Sequence, residues 1–122
     1  MILPIVKFCY KRNSLHLFTR IHYHKNDTIF TLQETTGKIN NYIYMGNGKY
    51  SNDVFSIFIR HSINPSCKII GKDIIASHNI LPGTEITYDQ IKHEKKLKEN
   101  EMKELKQKNI KIKKFLHDLS LI

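Results

Sequence analysis

Up to Asp89 the chain is broken by turn residues about every ten positions, and from Ile91 to Leu121 it holds neither proline nor glycine. The first regime suits short strands joined by tight turns. The second suits one long helix. The chain therefore divides into a mostly-β domain over 1–90 and a helix over 91–122. Lys11-Arg12-Asn13-Ser14, Lys25-Asn26-Asp27, Gly46-Asn47-Gly48, Asn64-Pro65 and Pro82-Gly83 supply the turns. Asn47-Gly48 is the sharpest of them, because that pair readily takes the positive φ angles of a two-residue hairpin loop.

Between the turns the apolar residues alternate. Ile5 to Tyr10 places Val6, Phe8 and Tyr10 on one face, and Leu15 to Thr19 follows as a second strand. Thr28 to Glu34 reads as one strand, with Ile29, Thr31 and Gln33 opposed to Thr28, Phe30 and Leu32. Asn41 to Met45 is a further strand, and Lys68 to Asn79 is a hairpin. Val54 to Ile59 suits a strand or a short helix.

The residues around the Asn-Pro and Pro-Gly turns carry more than turn chemistry. Phe58-Ile59-Arg60-His61-Ser62-Ile63-Asn64-Pro65-Ser66-Cys67 and Pro82-Gly83-Thr84-Glu85-Ile86-Thr87-Tyr88-Asp89 follow the order and spacing of R-F-I-N-H-S-x-N-P-N-C and P-G-E-E-L-T-Y-D-Y. Those segments mark SET domains, the fold of protein lysine methyltransferases, and this chain resembles that family. Ser14-Leu15-His16-Leu17-Phe18-Thr19 lies where the family has G-x-G-L/V-F-A. Glu34-Thr35-Thr36-Gly37 lies at its E-x-x-G, and Tyr42 to Lys49 resembles the insert of compact members.

The resemblance covers about residues 5–90 and implies a compact SET fold, S-adenosyl-L-methionine as cofactor and a lysine-bearing protein, a histone or another basic protein, as substrate. It places His61, Arg60, Leu17, Ser14 and His16 around the cofactor, with Tyr88 and Gln90 in the catalytic positions. Four of these depart from the pattern. Arg60 replaces an asparagine, Gln90 replaces the catalytic tyrosine, and Ser14 and His16 replace glycines that let backbone approach a ligand. Two readings stay open: a lysine methyltransferase, or a module that keeps the fold and serves in binding or scaffolding through its basic helix.

Charge and cysteine count narrow the classes. Twenty basic side chains stand against eleven acidic ones, a net charge of +9, and residues 91–122 hold ten lysines against five acids. A basic surface favours acidic partners, nucleic acid among them. Cys9 and Cys67 form no metal-type pair. His22 and His24 share a face without a third ligand, and Glu85 and Asp89 sit too far apart along a strand for paired-carboxylate chemistry, so no metal is expected. No apolar run approaches membrane-spanning length, and a signal-peptide core is missing. A cytoplasmic or nuclear protein without membrane attachment is the expectation.

Within the helix, Glu94–Lys98, Glu99–Lys103 and Glu104–Lys108 pair at i,i+4, each worth about 0.2–0.5 kcal/mol. Met102, Leu105, Asn109, Ile112, Leu116 and Leu119 fit heptad a and d positions. Three readings follow: an apolar end (Ile110 to Ile122) docked on the domain with Lys92 to Lys108 solvated, a homodimer through a coiled coil, or a basic helix on nucleic acid or a membrane surface.

Overall fold

A computed structural model describes residues 6–36 and 42–120, with Ser120 described by its backbone alone. Ile5, Gly37, Asn41, Leu121 and Ile122, given places above in strands, the E-x-x-G segment and the helix, lie outside the described residues. The chain is mostly strands in small sheets, followed by one long C-terminal helix.

Strands β1 (Val6–Lys11) and β2 (Ser14–Thr19) form a hairpin in register from Val6↔Thr19 to Lys11↔Ser14. Its two turn residues, Arg12 and Asn13, have φ of 51° and 65°. Asparagine tolerates that conformation, whereas Arg12 meets the usual Cβ penalty of roughly 1–2 kcal/mol. A second sheet runs β3 (Thr28–Thr31), β9 (Asp73–Ala76), β8 (Cys67–Ile70), and a third runs β4 (Glu34–Thr36), β6 (Lys49–Ser51), β5 (Tyr44–Gly46). Two short strands, β7 (Arg60–His61) and β10 (Thr87–Tyr88), pair in parallel.

One strand expectation needs correction, and one open alternative is decided. Thr28 to Glu34 is two strands, not one. The register shifts between Thr28 and Phe30, so consecutive Ile29 and Phe30 both enter the core. Leu32 is buried as well, its N–H donating to the Lys72 carbonyl at 2.7 Å. Three apolar residues in four positions cannot all point inward from a regular pleat, and the bulge resolves the conflict. Val54 to Ile59 holds a 3-10 turn over Ser56–Phe58. Asp53 starts it, its carboxylate accepting from Ser56 N at 3.1 Å and from Gln33 N at 3.0 Å.

The sheets are joined by the segment that leads into β10. Ile86 N donates to Leu17 O at 2.8 Å, Thr19 N to Thr84 O at 2.9 Å, and Ser62 N to Tyr88 O at 3.0 Å. Buried Ser66 completes the seam. Its hydroxyl donates to Glu85 O at 2.6 Å and accepts from Thr87 N at 3.1 Å, while Ser66 N donates to Thr87 Oγ1 at 3.0 Å. Leu17, Ile74 and Ile86, all at 0 % exposure, pack in the core beside this seam.

Helix α1 (Gln90–Ser120) starts where Asp89 caps it, the Asp89 carboxylate accepting from Lys92 N at 3.0 Å. Its first half is the docked half, opposite to the docking alternative above. His93, Leu97 and Glu101, spaced along one face, meet the β5–β6 hairpin. His93 Nε2 donates to Tyr44 O at 2.7 Å. Glu101 accepts from the Tyr44 hydroxyl and from Asn47 N at 2.5 Å. Leu97 closes over Gly46, where an added Cβ would lie 3.5 Å from Leu97 Cδ2. Ile110, Ile112, Phe115, Leu116 and Leu119 stay 49–66 % exposed. Length explains the reversal. At 1.5 Å per residue the helix is about 46 Å long, and a small domain is about 30 Å across. No helix among the described residues is long and apolar enough to cross a membrane.

Ser66→Ala should lower unfolding free energy by about 1–3 kcal/mol, because it strands two backbone groups; a urea melt with unchanged slope checks this. Glu101 gives a pH signature. Its carboxyl is held below the usual range by the hydrogen bond from Tyr44 first and Asn47 N–H second. Its contribution is full above the unfolded value of about 4.3 and is lost as pH falls through the lower folded one. Amide exchange at Asn47 should accelerate in that acid window, and Glu101→Gln should remove the pH dependence.

Candidate functional site

The parallel pairing of β7 with β10 sets Arg60 beside Thr87 and His61 beside Tyr88. Helix α1 begins two residues after Tyr88, which brings Gln90 to the same place. Arg60, His61, Tyr88 and Gln90 thus line one cavity of about 320 Å³, closed by Tyr42, Ile43, Ser56, Ile57 and Ile59. Gln90 N donates to His61 Nδ1 at 3.0 Å. A backbone N–H only donates, so Nδ1 is the accepting nitrogen and the ring proton sits on Nε2. Arg60 is held by carbonyls: Nη2 donates to Leu15 O at 2.9 Å and Nη1 to Ile57 O at 3.4 Å. A guanidinium has five N–H donors, so Arg60 keeps donors for an acceptor in the cavity.

Tyr88 is 6 % exposed. Burial, with the Glu94 carboxylate adding to it, pushes its phenol up to about 12. The hydroxyl is therefore neutral across the physiological range. Tyr88 also lines a second cavity of about 320 Å³, whose walls include Pro65, Cys67, Ile69, Ile70, Asp89 and His93, with Lys68, Lys92 and Lys96. His93 meets the Tyr88 ring edge-on at 5.7 Å. Burial lowers the His93 pKa, and burial raises Cys67 to about 11. This cavity therefore offers a neutral imidazole and a neutral thiol.

Ser14 and His16 do not line either cavity. Ser14 Oγ lies 3.0 Å from His16 Nε2, and His16 Nδ1 lies 2.8 Å from Glu85 Oε2. Lys11 Nζ approaches the other Glu85 oxygen at 3.4 Å. The side chains at the two glycine-like positions are thus tied to each other and to the seam strand. Leu17 is fully buried with its carbonyl engaged by Ile86 N. Arg60, through Leu15 O, connects the β1–β2 hairpin to the first cavity. His22 and His24 pack ring edge to ring face, centroids 4.5 Å apart.

Sequence reasoning missed two features. Glu85 faces His16 across 69 positions, a separation with no local signal. Ser56 and Ile57 reach the first cavity through the turn that Asp53 nucleates, and Ile43 through its bonds with Ser51; nothing in their own spacing announces either.

No protein-family model matches the chain, and no curated protein matches it. Solved structures do match. One is the crystal structure of the "putative histone methyltransferase" of Plasmodium falciparum, with a TM-score of 0.57 and 18 % identity, covering 72 % of this chain and 94 % of that one. At that identity the likeness establishes a shared fold.

Tyr88 should be spectroscopically distinct. Of the six tyrosines, Tyr23, Tyr44 and Tyr88 are raised above the usual value; Tyr88 should ionise near pH 12 in an ultraviolet titration, and Tyr88→Phe should delete that step. Its raised pKa stabilises the fold fully below about pH 10, and that contribution is lost as pH rises through the folded value.

Proposed function

We propose that the chain is a SET-type methyltransferase that uses S-adenosyl-L-methionine and acts on a protein lysine. The observation that carries this reading is Tyr88, a buried residue with a neutral hydroxyl that takes part in the lining of two cavities. A two-substrate reaction in which cofactor and amine approach one centre from different sides needs that arrangement. The shared fold with a protein named as a histone methyltransferase supports the same class.

The first cavity suits the cofactor. Arg60, steadied by two carbonyls, has donors left for a carboxylate. Because a guanidinium repels a sulfonium and attracts a carboxylate, Arg60 would hold the cofactor by its carboxylate. His61 Nε2–H is a further donor. Ser14 and His16 do not obstruct, because their polar atoms are spent on each other and on Glu85. When bound, S-adenosyl-L-methionine supplies an electrophilic methyl group on a positively charged sulfur.

The chain's remaining task is to present a neutral amine. Free lysine has a pKa of about 10.4, and desolvation beside Tyr88 favours its uncharged form. Tyr88 stays protonated, so it orients the amine by hydrogen bonding and takes no proton from it. Gln90 Nε2 donates to Glu94 Oε1 at 3.3 Å, which leaves the amide oxygen as an acceptor for an amine N–H. That oxygen does part of what a tyrosine hydroxyl does in the related pattern.

The competing reading, a binding module without transfer, rests on Gln90 standing in the tyrosine position. Calorimetry with S-adenosyl-L-methionine separates the two. Saturable binding weakened about tenfold by Arg60→Ala and by His61→Ala is expected from the loss of a charge-assisted or ring N–H hydrogen bond. Gln90→Ala should lower kcat and leave cofactor affinity unchanged. No saturation up to millimolar cofactor overturns the transferase reading.

A further inference from the structure

The second cavity has a charge pattern that the transferase reading does not use. Lys68 stands on β8, while Lys92 and Lys96 stand at i,i+4 on α1. None of the three is in an ion pair among the described residues. Lys68 Nζ meets only the neutral Asn26 side chain, at 3.3 Å. Asp89 is the one carboxylate lining this cavity, and it is committed to capping α1 through Lys92 N. Glu94, the next acid along the helix, lines neither cavity and accepts from the Gln90 side chain. His93 donates its Nε2 proton to Tyr44 O. Three ammoniums therefore face the opening with one preoccupied carboxylate among them, in a chain of net charge +9.

A lysine that reaches Tyr88 through this opening brings its neighbours across that rim. A segment rich in lysine and arginine meets like charge at each of the three positions, and an acidic segment meets opposite charge. Pro65, Ile69 and Ile70 add an apolar wall between the charged positions. We infer that the second cavity selects a lysine embedded in an acidic protein segment rather than one in a basic tail. The inference rests on the two-cavity transferase reading for the role of the lysine. The charge selection itself is a property of the rim.

The test uses the full chain and two synthetic peptides with one central lysine, flanked in one case by Glu and Asp and in the other by Arg and Lys. Fluorescence anisotropy at low ionic strength reads binding with S-adenosylhomocysteine present. The acidic peptide should bind about tenfold tighter, and the margin should shrink as salt rises. Lys92→Glu/Lys96→Glu should reverse the order. Lys68→Glu, on a different element, should narrow it independently. Equal affinity, tighter binding of the basic peptide, or an acidic preference that survives both variants overturns the inference. An acidic preference that responds to the variants without methyl transfer to either peptide would retire the transferase reading and keep the rim's selectivity.

Discussion

The structure depends on one backbone seam, the pairing of residues 83–88 with two partners far back in the chain. On one side Gly83 N and Ile86 N donate to Thr19 O and Leu17 O, each at 2.8 Å. On the other, Tyr88 O accepts from Ser62 N, and Ser66 exchanges bonds with Glu85 and Thr87. The seam segment also contributes Ile86 and Tyr88 to the core shared by the small sheets. The parallel pair β7–β10 is only two residues long. Its stability comes from this surrounding lattice rather than from its own ladder.

The same seam decides where the chemistry sits. Arg60 and His61 lie at one edge of it, Tyr88 and Gln90 at the other, and the start of α1 is clamped there by Asp89. Helix direction follows from that clamp and from the anchors His93, Leu97 and Glu101. Lys92 and Lys96, two of the helix's ten lysines, line the second cavity as a result.

Turns were the most legible part of the fold. Asn13, Asn26, Asn47 and Gly48 all adopt positive φ, a preference written in each residue's own sterics. The strand over 28–34 was misread because alternation assumes a regular pleat, and the bulge at Ile29–Phe30 answers to core volume. The docked end of α1 was misread for a similar reason. Apolar content pointed to Ile110 onward, whereas contact needs reach, and only the first three turns lie against β5. Around the first cavity, Arg60, His61, Tyr88 and Gln90 could be named from motif spacing. The His16–Glu85 contact could not, because it exists only once the seam has closed.

The seam also links ligand binding to the whole domain. Arg60, His61 and Gln90 belong to segments that come together only when the chain is fully closed. A ligand gripped by Arg60 and His61, the latter held by Gln90 N, loses that grip in a partly opened chain. Its binding energy therefore appears undiminished as resistance to global melting, about 2.7 kcal/mol at about a hundredfold excess over Kd. The cavity reports, in its occupancy, whether the last strand is in place.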